Sequence, residues 1–384
     1  MPLQLPRSAI VGAGICVATA AAAWARSLWL AAHPSDAWAQ GPYVPLSNAV
    51  GWVPGLASFS VAEWVLLAAA IAFAAYCISS LRAMLKAGRG QRLRAFGRRA
   101  IPAVAAVAAV WALFMALQGL NYYRPTFAQL AGYGPALEQV RSLPAKKRAA
   151  RLAELCQELG RRMDESRAAL GPVSDQWLRS RPDISGDGLG EFPAMAQEAK
   201  SLVEALNSHY PGLFDVDFST PKPVLASRLL SLVGITGFYF PFTAEANVSV
   251  DWPRFCVPAT LCHELAHRAG FMREDEANYL GYLACVNSED PLARYSGYTL
   301  AYDHAMNALY GQDQAAWARI NRQRSAAVAG DRTARSLMAA SYRGPLQDLG
   351  ETVNDGYLKA QGQSSGTASY SLMVDLLLAD PEFS

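Results

Sequence analysis

Apolar positions crowd into the first 120 residues and thin afterwards into a periodic pattern with charges between. Three stretches in the crowded part are each about the 20 residues that a helix needs to cross a bilayer at 1.5 Å per residue. Residues 9–32 run apolar from Ala9 through Leu30 with Arg26 as the one interruption. Residues 61–81 are apolar apart from Glu63, and residues 100–120 contain no charge. A buried core helix is the alternative for any one of them, and the third excludes it most strongly, because uncharged runs of 18 or more mark membrane spans. The first stretch also has features of a cleaved signal peptide, with Arg7 ahead of it and Ala21-Ala22-Ala23 within it. Its continuation past Arg26 into Leu28-Trp29-Leu30 favours a retained span.

Beyond residue 120 the spacing is mainly helical. Leu137, Val140, Leu143, Leu152, Leu155 and Leu159 predict helix across 136–170, stopped by Gly171-Pro172. Residues 180–190, with four Gly or Pro, read as a loop, and a helix follows from about Pro193 to His209. Residues 234–243 are β-branched and aromatic, and Pro241 makes them an edge ribbon rather than a central strand. Helical spacing returns at 259–269, 274–287, 291–310, 313–329, 344–360 and 368–379. The last run is too short for a span and contains Asp375. These patterns divide the chain into a membrane region, 1–123, and a mostly α domain with a small β element, 124–384.

Charge gives the membrane region its orientation. The net charge is only +2, but Arg82, Lys86, Arg89, Arg92, Arg94, Arg98 and Arg99 all fall between spans two and three. Residues 33–60, between spans one and two, contain no Lys or Arg. The basic loop is therefore expected in the cytoplasm, with the amino terminus inside and everything after Leu120 outside. The cluster reads as a topology signal in contact with anionic lipid, not as a nucleic-acid site. Cys156, Cys256, Cys262 and Cys285 would then face an oxidising compartment, with no pairing that sequence can assign.

Candidate chemistry sits on one short helix. Pro258 fits its first turn and Gly270 its end. Within it His263 and His267 are four residues apart, so both imidazoles leave one face and can meet one ion. Glu264 follows His263 and can serve as general base, which is the mechanical content of H-E-x-x-H, a zinc motif. The third ligand is expected from Arg273-Glu274-Asp275-Glu276-Ala277-Asn278. Glu274 is preferred, with Asn278 on its face to orient a histidine, and Glu276 is the second choice. Acids are also favoured at helix amino termini by the dipole alone.

Glu274-x-x-Ala277-Asn278 resembles the E-x-x-A-[DN] second motif of gluzincin metallopeptidases, with Asn where Asp is commoner and a shorter gap from His267. More broadly, the chain resembles a bacterial family of three-pass membrane proteins catalogued as domain of unknown function 3810. That resemblance rests on Ser60-Val61-Ala62-Glu63, Asn121-Tyr122-Tyr123-Arg124, Lys222-Pro223-Val224, 237–243, Glu245-Ala246-Asn247, Cys262 to Ala284, and Tyr295-Ser296-Gly297-Tyr298. It implies a bacterial inner-membrane protein with a zincin-like domain and a zinc peptidase activity of unassigned substrate.

The expected function is thus a zinc-dependent peptidase working outside the membrane on a peptide or protein substrate. His304, Tyr295, Tyr298 and Arg273 are candidates to stabilise the oxyanion, each with an ordinary structural role as the alternative. The ribbon at 235–243 can pair with an extended peptide. Two rival readings are a membrane-tethered zinc-binding sensor without activity, and an intramembrane protease for which Asn354-Asp355-Gly356 is the only hint. Arg254, Arg268 and Arg273 around the zinc helix oppose the second rival.

Overall fold

The computed structural model describes residues 7–88, 90–360 and 372–383. Arg89 of the basic loop and residues 368–371 of the last expected helix lie outside them. Twelve helices are numbered α1 to α12 in chain order, and the others are named by their residues.

Among the described residues, three helices are long and apolar enough to cross a membrane: α1 (Arg7–Ala32), α3 (Val61–Lys86) and α4 (Arg92–Leu117). Side chains such as Ile15, Phe73 and Val107 point away from the protein. A water-soluble fold could not leave so much contiguous apolar surface bare, and this surface marks a membrane protein. Gly14, Ala18 and Ala21 of α1 and Ala100, Ile101 and Val104 of α4 line an apolar groove between the two helices.

The spans differ from the expected bounds. Helix α3 runs on to Lys86 and α4 begins at Arg92, so most of the expected basic loop is helical. Arg, Lys, Leu and Ala are strong helix formers, and long basic side chains reach the headgroups from a helix end as easily as from a loop. Helix α4 stops at Leu117 rather than Leu120, and Gly119–Tyr123 forms a 3-10 turn.

The segment between α1 and α3 is also structured. It contains α2 (Tyr43–Gly55) and packs into the folded domain. Tyr43 is fully buried, and its hydroxyl donates to the Arg268 carbonyl at 2.8 Å. Asp36 pairs with Arg124, and the Asp217 amide donates to Asn48 Oδ1 at 3.0 Å. At the start of α3, Ser60 Oγ accepts from the Glu63 amide, leaving the Glu63 carboxylate to accept from the amides of Leu225 and Ala226 at 2.9 Å. In return the buried Glu245 carboxylate accepts from the amides of Val61 and Ala62, the positive end of the α3 dipole. Lys222 donates to the Ala57 carbonyl. Residues 33–60 and the chain beyond 124 therefore sit at one end of the spans, with the basic residues at the other.

Beyond the spans, α5 (Ala145–Ala169) buries Leu152, Leu155, Leu159 and Met163 against later helices. Pro144 separates it from the short helix Gly134–Arg141, so the expected continuous helix is broken where proline removes a backbone donor. Next come α6 (Phe192–His209), α7 (Val257–Arg268), α8 (Glu274–Val286) and α9 (Pro291–Gln312). The expected 313–329 helix is two: Gln314–Asn321, and α10 (Ala326–Ser341), which Ser325 caps by accepting from the Val328 amide. The last two are α11 (Pro345–Ala360) and α12 (Met373–Ala379).

The β element is a three-stranded sheet in the order β1-β3-β2. Strand β2 (Gly237–Phe240) pairs antiparallel with β3 (Glu245–Ser249) from Gly237 opposite Val248 to Phe240 opposite Glu245. Strand β1 (Lys222–Val224) runs parallel to β3. Pro241 stands in the turn, where its missing N–H costs nothing, and β2 is an edge as expected. The sheet lies on α7.

Candidate metal centre

Helix α7 is buried along nearly its whole length, and its ends explain how its residues are held. Pro258 occupies the first turn and Gly270, at φ +87°, turns the chain after the last residue. A Cβ at Gly270 would approach Arg124 Nη1 to 3.1 Å. That guanidinium donates to the Ala269 carbonyl at 3.1 Å, and Tyr43 takes the Arg268 carbonyl. Residues flanking the spans thus satisfy the carbonyls that end the helix. Arg268 is buried and held by Ser47, Asn48 and the Asp217 carbonyl.

Helix α8 folds back on α7 at very short range. A Cβ on Gly281 would stand 3.0 Å from the Ala259 carbonyl oxygen and 3.2 Å from the His263 amide. This approach carries Glu274 to the histidines. Its Oε2 lies 3.3 Å from His263 Nε2 and its Oε1 lies 3.7 Å from His267 Nε2. One donor atom from each of the three residues falls within 4.8 Å of the others. Donors arranged tetrahedrally at about 2.0–2.1 Å from an ion stand about 3.3–3.4 Å apart, so three donors within 4.8 Å would draw in by at most about 1.4 Å to share one ion. His267 Nδ1 is 2.8 Å from the Phe271 carbonyl, which can only accept. The proton must therefore be on Nδ1, leaving the Nε2 lone pair facing Glu274. Asn278, one turn after Glu274, approaches His263 and favours its charged form.

Glu276 does not join this group. Its carboxylate is buried in the junction with the spans, accepting from the Phe127 amide at 2.8 Å and from Arg273 at 3.1 Å. The two acids point apart because they are two residues apart on a helix.

Glu264 is buried beside the set, and its Oε2 has no hydrogen-bond partner. Its other side lies against the backbone of β2, where a Cβ on Gly237 would come within 2.6 Å of Oε1. Burial pushes its carboxyl up to about 8, with Glu274 adding to the effect and His263 opposing it. Burial also pulls His267 down to about 4 against the attraction of Glu274. On His263 burial works against the charge, but the Glu274 carboxylate beside it prevails and raises its pKa. A divalent cation among these groups would favour the carboxylates and the neutral imidazoles together.

The group opens into a cleft of about 720 Å³, within the range of ligand sites. The matched family model covers residues 38–378 and is described as a protein of unknown function, DUF3810. The chain belongs to that family. No curated protein and no solved structure matches it.

Several motifs that carry the resemblance now have a physical role. Ser60 to Glu63 and Glu245 make the reciprocal caps at α3, Arg124 closes the end of α7, and Gly237 admits Glu264. The four oxyanion candidates do not line the cleft. Tyr295 donates to Asp331 at 3.0 Å, Tyr298 packs edge-on to Tyr282, and Arg273 donates to the carbonyls of Tyr122 and Arg124. His304 lies elsewhere on α9. The cleft instead presents Gln118, Tyr122, Asn354 and Tyr357, with the hydroxyls of Tyr122 and Tyr357 3.1 Å apart. Both tyrosines feel the Glu274 carboxylate, which adds to the effect of burial in raising them. Nothing local in the sequence marks Tyr357 or assigns Tyr122 to a cleft. The six cysteines are thiols, and Cys262 Sγ and Cys285 Sγ stand 3.7 Å apart in the core.

Proposed function

We propose that this protein is a membrane-anchored zinc peptidase acting on the extracytoplasmic side, with His263, His267 and Glu274 as ligands and Glu264 as general base. The observation that carries the reading is the convergence of those three donors beside a buried carboxylate with an unpartnered oxygen, in a cleft. Zinc in this set would supply a Lewis acid for a carbonyl and an acidified water. Glu264 takes the proton of the attacking water at Oε2 and delivers it to the leaving amine. Gly237 and Tyr239 alternate with the residues of β2 that bond β3, so their backbone groups face the open edge and can pair with an extended peptide. The sidedness follows from Arg82, Lys86, Arg92, Arg94, Arg98 and Arg99 at the end of the spans opposite the domain.

The test uses the full chain in detergent, because residues 36–63 are part of the folded domain. Zinc stoichiometry is measured for the wild type and Glu264→Gln, and both are incubated with a pooled peptide library. The expected result is one zinc in each and cleavage slowed about 10²–10⁴-fold in the variant. Zinc in both with every peptide intact would overturn the peptidase and leave a zinc-binding module. A reporter fused after residue 125 tests the side, and activity characteristic of the cytoplasm would reverse it.

A further inference from the structure

The cleft lies against the end of a membrane span. Gln118, the residue that ends α4, lines it, as does Tyr122 in the turn that follows. Gln118 Nε2 donates to Tyr357 on α11 at 3.1 Å. Helix α11 runs back from there to the turn at Val233. Its Gly350 packs on the Val233 carbonyl, next to the short helix Ser227–Leu232. The residues just before that helix, Leu225 and Ala226, are held by Glu63 at the start of α3. Helix α11 is therefore a strap between the turn at Val233 and the end of α4, with one edge along the cleft.

The strap is amphipathic in an informative direction. Leu346, Leu349 and Val353 follow three- and four-residue steps that continue to Tyr357, so they share the side that meets the end of α4. They are bare: Leu349 is 59% exposed and Val353 is 63% exposed. Asp348, Asp355 and Lys359 occupy the opposite side. Other exposed apolar side chains lie at the same level. Leu225 and Leu229 adjoin the Glu63 contact, and Trp52 (71% exposed), Leu56 (77%) and Phe59 immediately precede α3. An apolar stripe backed by a charged side, continuous with membrane spans, is the pattern of a helix lying in the headgroup boundary. Tryptophan is enriched at that depth.

Resting on the peptidase reading, we infer that this rim beds in the outer surface of the bilayer and that the substrates are membrane-tethered polypeptides, taken in the first residues after they leave the membrane. A soluble peptide would have to reach a cleft bounded on one side by the end of α4. A tethered chain emerges beside it, at an effective concentration that its tether sets.

The experiment has two arms, both on the full chain in liposomes of phosphatidylethanolamine and phosphatidylglycerol. In the first, a benzophenone amino acid replaces Leu349, Val353 or, as a control on α9, Tyr310. Lipid adducts by mass spectrometry are expected at 349 and 353 and not at 310, and their absence at both strap positions overturns the bedded rim. In the second, Glu264→Gln liposomes receive a model polypeptide with one leucine-alanine span and a flexible tail. A photoreactive residue is placed at increasing distances along the tail. Labelling of the 237–239 and 354–357 segments should peak within about five residues of the span, roughly 17 Å of extended chain, and fall about tenfold at thirty. A peak at twenty or beyond, or no dependence on distance, refutes the tethered-substrate inference. Labelling near the span without cleavage of any tail by the wild type would refute the peptidase while the inference about access stands.

Discussion

Gly237→Ala isolates the contact on which the proposed base depends. The added Cβ would stand 2.6 Å from Glu264 Oε1, 2.9 Å from Cγ and 3.0 Å from Cδ. Ordinary contact begins near 3.4 Å, so the carboxyl must retreat by about 0.8 Å, the difference between 3.4 and 2.6 Å. A displacement near 1 Å in a catalytic group costs on the order of 10²-fold. Deleting the base altogether costs about 10²–10⁴-fold. We therefore expect kcat/KM to fall about 10²-fold, or roughly 3 kcal/mol. Zinc content should be unchanged, because the three atoms nearest the new methyl group all belong to Glu264 and none to a ligand.

The assay is kcat/KM on the best peptide from the library, with zinc measured on the same samples. A double-mutant cycle with Glu264→Gln separates mechanism from damage. If Gly237 acts only through the carboxyl, adding Gly237→Ala to Glu264→Gln should cost less than threefold. Full activity in Gly237→Ala, or an undiminished loss in the Glu264→Gln background, would falsify the assignment of Gly237 as the residue that positions the base.

Three further outcomes follow from the geometry. Glu274→Ala should abolish stoichiometric zinc and leave the fold of the metal-free chain intact. Glu276→Ala should retain zinc but lose about 1–3 kcal/mol of stability, because it strips the Phe127 amide and Arg273 of a buried acceptor; the reverse pattern in calorimetry and metal analysis would exchange their roles. Zinc at 100 times its dissociation constant should stabilise by about 2.7 kcal/mol over the chelated protein, and an unchanged Tm would exclude a bound ion. The third concerns Glu198, which burial raises to about 7, with Ser288 opposing and Asp290 assisting. The folded state then holds a proton that the unfolded state releases near pH 4.5, so stability falls as pH rises between there and about 7. Glu198→Gln should match the wild type near pH 4 and be more stable above 7, and a gain independent of pH would refute the cause given.

Much of this protein was readable from local pattern. The three spans needed only run length and charge, because a bilayer demands about 20 apolar residues whatever the rest of the chain does. Pro258, Gly270 and the four-residue spacing of His263 and His267 placed two donors on one helix face, a consequence of helical periodicity alone. The breaks at Pro144 and at 322–325 were missed because apolar spacing on either side stays in phase with one helix. The charge of 82–99 predicts a loop between spans, while the helix propensity of Arg, Lys, Leu and Ala extends both helices into it.

What local pattern left open was decided by contacts between distant residues. Glu274 and Glu276 are equal as carboxylates near a helix start, and only the close packing at Gly281 and the claim of Phe127 and Arg273 on Glu276 tell them apart. Tyr357 reaches the cleft from 83 residues beyond Glu274 because α11 packs back to the end of α4. The sequence alone determined that the chain crosses a membrane and carries a metal-binding pattern, since both are properties of neighbours along one helix. The tertiary structure alone decided which acid faces the histidines, why Gly237 has no side chain, and that the cleft opens beside the end of α4. Those depend on which surfaces pack together, and spacing along the chain does not encode that.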